Sequence, residues 1–382
     1  MNKLRKAASA GFVAIVAATA LTACGSAPDS EGATSNPSTS DSASGGTTAA
    51  ASDFLPCIVS DAGGFDDKSF NQLSYEGVKQ AADELGTDFK GVESNSENDY
   101  APNIDSLVAE GCDTIVTVGF ALAAATKEAA AANPDIKFVL IDDAADGGDD
   151  GQTFDGKADE PNIKPLLYDT AQAAFLAGYA AADYTKTGVV GTYGGQPYPT
   201  VTIFMDGFKQ GVDYYNDQNG KDVQVIGWDG KNGLFTGGFE ANEKATNTAK
   251  QLIDQDADVI LPVGGPIYQG AVTAIADSGS DIAMIGVDAD LFETDPNTQD
   301  VVMTSILKNM KVSTYEAIMS AANDGDNFDF TPYVGTLEND GVGIAPFHNF
   351  ESKVPPELAG QLDEIKAGII DGSIPVTSYL AG

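Results

Sequence analysis

The fold of this chain is indicated by residues 55–85, which read LPCIVSDAGGFDDKSFNQLSYEGVKQAADEL. The apolar run Leu55–Ser60 predicts a buried strand. Ser69–Leu85 predicts a helix, because apolar and small residues recur there every three or four positions. Ser69 and Gln72 have the spacing of a capping box at its start. A strand that passes through a glycine-containing turn into a helix is the repeating unit of an α/β fold.

The same alternation continues along the chain and then restarts. Strands are predicted at 88–93, 114–118 and 138–142, and a second run of helices and strands begins at 169. Strand–helix alternation at about 30-residue spacing predicts doubly wound parallel sheets. Two runs predict two similar lobes.

The strand at 303–306 and the helix at 312–323 are expected to return to the first lobe, and the tail from 333 to the second. Lobe 1 then comprises residues 54–166 and 298–332. Lobe 2 comprises residues 167–297 and 333–382.

Two cysteines fit this plan. Cys57 lies in the first predicted strand, and Cys112 just precedes the third. In a 2-1-3-4-5 strand order these strands are neighbours, so a disulfide is possible there. Two buried free thiols are the alternative.

The N-terminus has the features of an export signal. Basic residues precede a short apolar stretch that ends in Leu21-Thr22-Ala23-Cys24, which resembles a bacterial lipobox. We expect residues 1–23 to be a lipoprotein signal peptide, too short for a membrane span. Residues 24–53, rich in Gly, Ala, Ser and Thr, are expected to form a flexible tether with lipidated Cys24. This would place the protein on the outer face of the cytoplasmic membrane.

The composition excludes several classes of partner. The chain has 57 Asp and Glu against 20 Lys and Arg, so nucleic acid is an unlikely ligand. Its one arginine, Arg5, lies in the signal peptide, and its one histidine is His348. A multi-histidine metal site is therefore excluded. A carboxylate or phosphate ligand is disfavoured because the chain outside the signal peptide has no arginine to bind it through two hydrogen bonds. No metal or cofactor is expected.

Ligands of open α/β sheets bind at the carboxyl ends of the strands. The residues that follow strands, or begin the next helix, are therefore the candidates for binding: Asp61, Phe70, Asn71, Asp143, Phe204, Gly264, Asp288 and Lys308. Three of them also have a structural interpretation: Phe70 as a core residue, Asn71 as a helix cap and Gly264 as part of a tight turn. Convergence of Asp61, Asp143 and Asp288 would also suit a paired-carboxylate hydrolase.

A family resemblance favours binding over catalysis. DDKSFNQ at 66–72, followed by YEG at 75–77, resembles the signature of the basic membrane protein family. These are substrate-binding lipoproteins of ABC importers, related to the purine nucleoside receptor of spirochaetes. Further similar segments are Gly207-Phe208, ADVI at 257–260 with Gly264-Gly265, IGVD at 285–288 and TSILK at 304–308.

The resemblance implies two α/β lobes of the type I periplasmic-binding-protein kind, joined by a hinge and closing on a nucleoside. It implies that Phe70 and Phe204 stack on the base, that Asn71 and Asp143 face its edge, and that Asp288 and Lys308 hold the ribose. Asp61 is a further candidate. It also implies a non-enzymatic monomer whose partner is an ABC permease. Receptors for a neutral sugar, or a nucleoside hydrolase, remain the alternatives at this stage.

Overall fold

A computed structural model of the chain describes residues 53–146 and 157–380. The predicted signal peptide 1–23 and Cys24 lie outside the described residues, as does the predicted tether up to residue 52. In the described part of the chain, no helix is both long and apolar enough to span a membrane.

The described residues form two six-stranded sheets. The first contains β1 (Pro56–Val59), β2 (Lys90–Val92), β3 (Thr114–Val118), β4 (Lys137–Ile141), β5 (Ile163–Tyr168) and β11 (Tyr333–Gly335). The second contains β6 (Val189–Gly194), β7 (Gln224–Ile226), β8 (Val259–Val263), β9 (Ala283–Asp288), β10 (Val302–Lys308) and β12 (Val342–Ile344).

Helices cover the faces of both sheets. They are α1 (Phe70–Leu85), α2 (Tyr100–Ala109), α3 (Ala123–Ala132), α4 (Thr170–Tyr184), α5 (Pro199–Asn219), α6 (Glu243–Ile253), α7 (Tyr268–Ser278), α8 (Leu291–Thr294), α9 (Met310–Asn323) and α10 (Leu358–Ile370).

The strand order confirms the predicted fold class. The sheets run β11-β5-β4-β3-β1-β2 and β12-β10-β9-β8-β6-β7, so each contains the 2-1-3-4-5 order. All pairs are parallel except β10 with β12. The central strands are buried on both faces by helices, as parallel sheets require.

The predicted assignment of two segments to the lobes is wrong. β10 pairs with β9 in the second sheet, and β11 pairs with β5 in the first. Each doubly wound unit completes its fifth strand before the chain crosses, so the second crossover follows β10, whereas the predicted boundary at residue 298 precedes it. The helix after β10, α9, does pack on α1 of lobe 1, where the Cβ that Gly77 lacks would lie 2.5 Å from the Lys311 carbonyl oxygen. The third crossover joins β11 to β12.

Cys57 and Cys112 form a disulfide, with their Cα atoms 6.0 Å apart. It joins β1 to the turn before β3, its neighbour in the sheet. Both residues are almost fully buried.

The Gly207-Phe208 motif has a packing role in lobe 2. Gly207 lies where α5 crosses α4, and a Cβ there would lie 2.3 Å from the carbonyl oxygen of Ala171. Only glycine allows this approach. The contact holds α5, and with it Phe204, close to the lobe crossover.

Candidate functional site

A cavity of about 550 Å³ lies between the lobes at the carboxyl ends of both sheets. Its walls include seven of the eight predicted binding residues: Asp61, Phe70, Asn71, Phe204, Gly264, Asp288 and Lys308. The eighth, Asp143, is not among them. Proteins with open α/β sheets usually bind small molecules in a crevice of this kind, at the carboxyl ends of the strands.

The first turn of α1 is capped by Asp67, not by Ser69. The Asp67 carboxylate accepts hydrogen bonds from the backbone N–H groups of Ser69, Asn71 and Gln72 at 2.8–3.1 Å. The predicted capping box is therefore wrong. The Ser69 hydroxyl instead donates to the Val287 carbonyl oxygen at 3.1 Å, and it lies 3.3 Å from the Asp288 carboxylate. These contacts join lobe 1 to lobe 2.

Asn71 orients Asp61. Its amide nitrogen donates to Asp61 Oδ1 at 2.7 Å and to Asp67 at 3.0 Å, and its amide oxygen accepts from the Asp61 backbone N–H. Both amide hydrogens are used within the protein. Asn71 therefore lies in the cavity wall with its donors engaged, which leaves Asp61 as the polar group available to a ligand.

The Asp61 carboxylate carries an unbalanced charge. Burial raises the pKa of Asp61 to about 6, more than the hydrogen bonds from Gly63 and Asn71 lower it, and the nearby Asp67 also raises it. A hydrogen-bond donor on a ligand would stabilise the ionised form.

Lys308 lies between two aspartates, one from each lobe. Its ammonium nitrogen is 2.7 Å from Asp142 Oδ2 and 3.8 Å from Asp288 Oδ1. All three side chains are at least nine-tenths buried. Asp142 follows β4 and Asp288 ends β9, so the cluster joins the two sheets at the base of the cavity.

Asp142 and Asp288 share one buried cation, Lys308, and the pKa values of both carboxyl groups are raised. Burial raises the pKa of Asp142 despite its pairing with Lys308. Burial also raises the pKa of Asp288 to about 6, with Lys308 acting against this and Asp142 adding to it. Further donors, such as sugar hydroxyls, would relieve the excess negative charge.

Asp142, rather than Asp143, reaches the cavity. The Asp143 carboxylate accepts a hydrogen bond from the Ala145 backbone N–H at 2.8 Å, in the loop beyond the strand. Asp142 adopts a positive φ of 66°, which turns the chain at the strand end. Asp142 therefore faces Lys308 and the cavity, whereas the Asp143 carboxylate is bound within the loop.

The two phenylalanines predicted to stack differ in accessibility. Phe70 is half-buried and borders the cavity, whereas Phe204 is 2% exposed and belongs to the core. The Lys308 ammonium lies 5.3 Å from the Phe70 ring centroid and 5.0 Å from that of Phe204. Both rings therefore border the Lys308 cluster, but Phe70 offers the more accessible surface.

Four further aromatic residues line the cavity and were not predicted: Tyr100, Phe120, Tyr198 and Phe239. Phe120 of lobe 1 has its ring centroid 4.2 Å from Tyr198 and 5.9 Å from Phe239, both of lobe 2. Gly264 makes room for Phe239, since a Cβ there would lie 2.7 Å from that ring. Phe120 follows β3, so the carboxyl-end rule alone could have found it.

The lone tryptophan lies elsewhere. Trp228 is 7% exposed, donates its indole N–H to Asp206 and packs edge-on against Phe235. It is absent from the cavity wall. Trp228 is therefore not placed to stack on a ligand in the cavity.

Within 53–146 and 157–380 no cluster of three His, Cys, Asp or Glu side chains is arranged to hold a metal ion. His348 pairs with Asp290 at 2.8 Å and stacks on Phe292, and it is not a cavity residue.

This chain is similar to known substrate-binding proteins of ABC transporters. A family model described as "ABC transporter substrate-binding protein PnrA-like" matches residues 55–375. The "ABC transporter nucleoside-binding protein BmpA" of Lactococcus lactis is 28% identical over 352 residues, covering 88% of this chain and 92% of the relative. "Basic membrane protein A" of Borreliella burgdorferi is 28% identical over 322 residues, covering 83% and 86%. A solved solute-binding protein of an ABC transporter from Aeropyrum pernix has a TM-score of 0.71 and 26% identity, covering 84% of this chain and 92% of that one.

Proposed function

Since this chain belongs to the family of PnrA-like ABC transporter substrate-binding proteins, we propose that its ligand is a nucleoside, preferably a purine nucleoside. The family's role is binding rather than catalysis, and its members deliver small molecules to permease components. In this proposal the two lobes close on the nucleoside outside the cytoplasmic membrane and present it to an ABC permease.

The observation that carries the proposal is the Asp142–Lys308–Asp288 cluster beside the Phe70 ring. A ribose carries two adjacent hydroxyls, which suit a carboxylate acceptor and an ammonium donor side by side. A purine has two π-faces that stack on aromatic rings. The name of the Lactococcus relative, a nucleoside-binding protein, points to the same ligand class.

Each end of the nucleoside is assigned to a part of the cavity. Asp288 and Lys308, with Asp142, are proposed to hold the ribose. Phe70 provides a stacking surface for the base, and Asp61, held by Asn71, accepts hydrogen bonds from its edge. Phe120 and Phe239 border the same space from the two lobes.

The proposed anchor rests on the lipobox-like segment that ends at Cys24. We expect Cys24→Ser to give an unlipidated protein with an intact binding region. Detergent partitioning of cells that express each form tests this. If the variant still partitions as a processed lipoprotein, the anchor is not at Cys24.

The ligand class is tested by mass spectrometry of small molecules released from the purified protein on denaturation. We expect a nucleoside in near-stoichiometric amount, exchangeable by dialysis against added nucleoside. Release of a monosaccharide instead would overturn the proposal and favour a sugar receptor of the same fold.

A further inference from the structure

We propose that the cavity prefers nucleosides whose base carries a positive charge, such as purine nucleosides methylated on a ring nitrogen. This inference rests on the proposed function and narrows its ligand class. It depends on the charge of the cavity, on the position of one carboxylate beside one ring, and on an unpaired hydroxyl in the wall.

The cavity wall is strongly acidic. Its described lining contains six carboxylates and one lysine, the carboxylates being those of Asp61, Asp67, Glu97, Asp142, Glu240 and Asp288. The lysine, Lys308, is already engaged by Asp142 and Asp288. None of the ion pairs among the described residues includes Asp61 or Asp67. On the lobe 1 side of the cavity, Asp61 and Asp67 therefore have no ion-pair partner among the described residues, whereas Asp142 has Lys308.

The Asp61 carboxylate lies at the edge of the proposed stacking surface. A Cβ built on Gly119 would be 3.3 Å from Asp61 Oδ2 and 3.4 Å from Cε1 of Phe70, so both groups flank the same point. A flat ring stacked on Phe70 would have its edge near Asp61. A positive charge on that ring is attracted to both the aromatic face and the carboxylate.

The aromatic faces at this site already border a cation. Lys308 Nζ lies within 5.3 Å of the Phe70 and Phe204 centroids, inside the range of cation–π attraction. The rings of Phe120, Tyr198 and Phe239 add further electron-rich surface to the cavity. Rings together with carboxylates form the usual environment of a cationic ligand.

A second, independent observation indicates a polar ligand here. Thr200 lines the cavity and is 8% exposed, and its hydroxyl oxygen has no hydrogen-bond partner among the described residues. Buried hydroxyls are normally paired, so this one is available to a ligand atom.

The test compares pairs of methylated nucleosides in which one member is a cation and the other is neutral. The cation 1-methyladenosine is paired with neutral N6-methyladenosine, and 7-methylguanosine with neutral 1-methylguanosine, with affinities measured by calorimetry at pH 6.5. The two pairs carry the methyl group at different positions, so a steric clash in one leaves the other informative. We expect the cation to bind roughly 5- to 30-fold tighter in at least one pair, the ratio that a cation–π energy of about 1–2 kcal/mol gives.

Two variants show whether Asp61 is responsible. Asp61→Asn should remove most of the preference, whereas Asp66→Asn, an equal charge change at a largely exposed residue of the same loop, should retain it. Absence of preference in both pairs, with neutral nucleosides binding normally, overturns this inference alone. A preference that survives Asp61→Asn overturns the assignment to that carboxylate. If no nucleoside binds at all, the proposed function fails and the inference with it.

Discussion

Asp142 and Asp288 occupy matching positions in the two lobes, at the carboxyl ends of β4 and β9, with φ angles of 66° and 68°. Their carboxylates flank the Lys308 ammonium at 2.7 and 3.8 Å. Aspartate is among the few residues that tolerate this left-handed conformation. Because the fold repeats, two equivalent acids meet when the lobes face each other, and Lys308 lies between them.

This geometry makes Lys308 important for stability as well as binding. We expect Lys308→Met to lower the free energy of unfolding by about 3–5 kcal/mol at pH 7.5, since two buried carboxylates lose their cation. The loss should shrink at pH 5, below the pKa of about 6 for Asp288, because the protonated acid needs no cation. Urea unfolding at both pH values measures this.

Lys311→Met is the matched control. Lys311 pairs with Glu76 at 3.0 Å, but both side chains are more than a third exposed, so the change should cost less than about 1 kcal/mol at either pH. Equal losses in the two variants would contradict the account of the buried cluster.

The ionised Asp61 carboxylate should lower the free energy of unfolding at neutral pH. Its pKa of about 6 in the folded state lies above the ordinary 3.8, so the folded protein binds more protons than the unfolded chain between these values. The contribution of Asp61 to the free energy of unfolding therefore falls as the pH rises from 4 to 6, and it stays low above pH 6. We expect Asp61→Asn to stabilise the ligand-free protein by up to about 3 kcal/mol at pH 7.5 and to have little effect at pH 4.

Thermal melting of Asp61→Asn and Asp66→Asn at the two pH values checks this. The control should show no comparable rise in melting temperature, since Asp66 is largely exposed. Destabilisation by Asp61→Asn at pH 7.5 would show that its hydrogen bonds to Gly63 and Asn71 outweigh the burial of its charge.

The phenylalanines of the site should separate into binding and packing residues. Phe70→Ala and Phe239→Ala should weaken nucleoside binding roughly 5- to 150-fold, from about 1–3 kcal/mol of stacking. Phe204→Ala should instead cost about 3–5 kcal/mol of stability, because Phe204 is 2% exposed. Phe292→Ala is the control, because Phe292 is half-buried like Phe70 but lies outside the cavity.

Calorimetric titration and urea unfolding of the same four variants distinguish these roles. If the Phe204→Ala protein is stable but has lost as much affinity as Phe70→Ala, Phe204 has the stacking role that the family resemblance implies.

Much of the fold could be predicted because helix and strand periodicities alternate strongly along the chain. The strands that were missed lack such signals. β11 and β12 have three residues each, and β5 contains Pro165, which is unusual inside a sheet. The crossovers near β10 and β11 were misplaced because a strand's sequence does not reveal which of two similar sheets it joins.

The site was predicted as a set of residues, but its contacts were not. The choice between Asp142 and Asp143 depends on one backbone angle at a strand end. Lys308 and Asp142 are 166 positions apart, and their pairing depends on how two lobes face each other. The engagement of Asn71 by Asp61 and Asp67 likewise appears only when the turn is folded.

The central claim is that Asp288 and Lys308 hold a ribose, and calorimetric titration of the ligand-free protein with matched nucleosides tests it most directly. We expect ribonucleosides to bind and 2′-deoxyribonucleosides to bind more weakly by about 1.5–3 kcal/mol, since a hydrogen bond to a charged group is lost. Their 5′-monophosphates should bind much more weakly because the cavity is acidic. Asp288→Asn should narrow the gap between ribo- and deoxyribonucleosides. Binding of free sugars without binding of nucleosides would contradict the account.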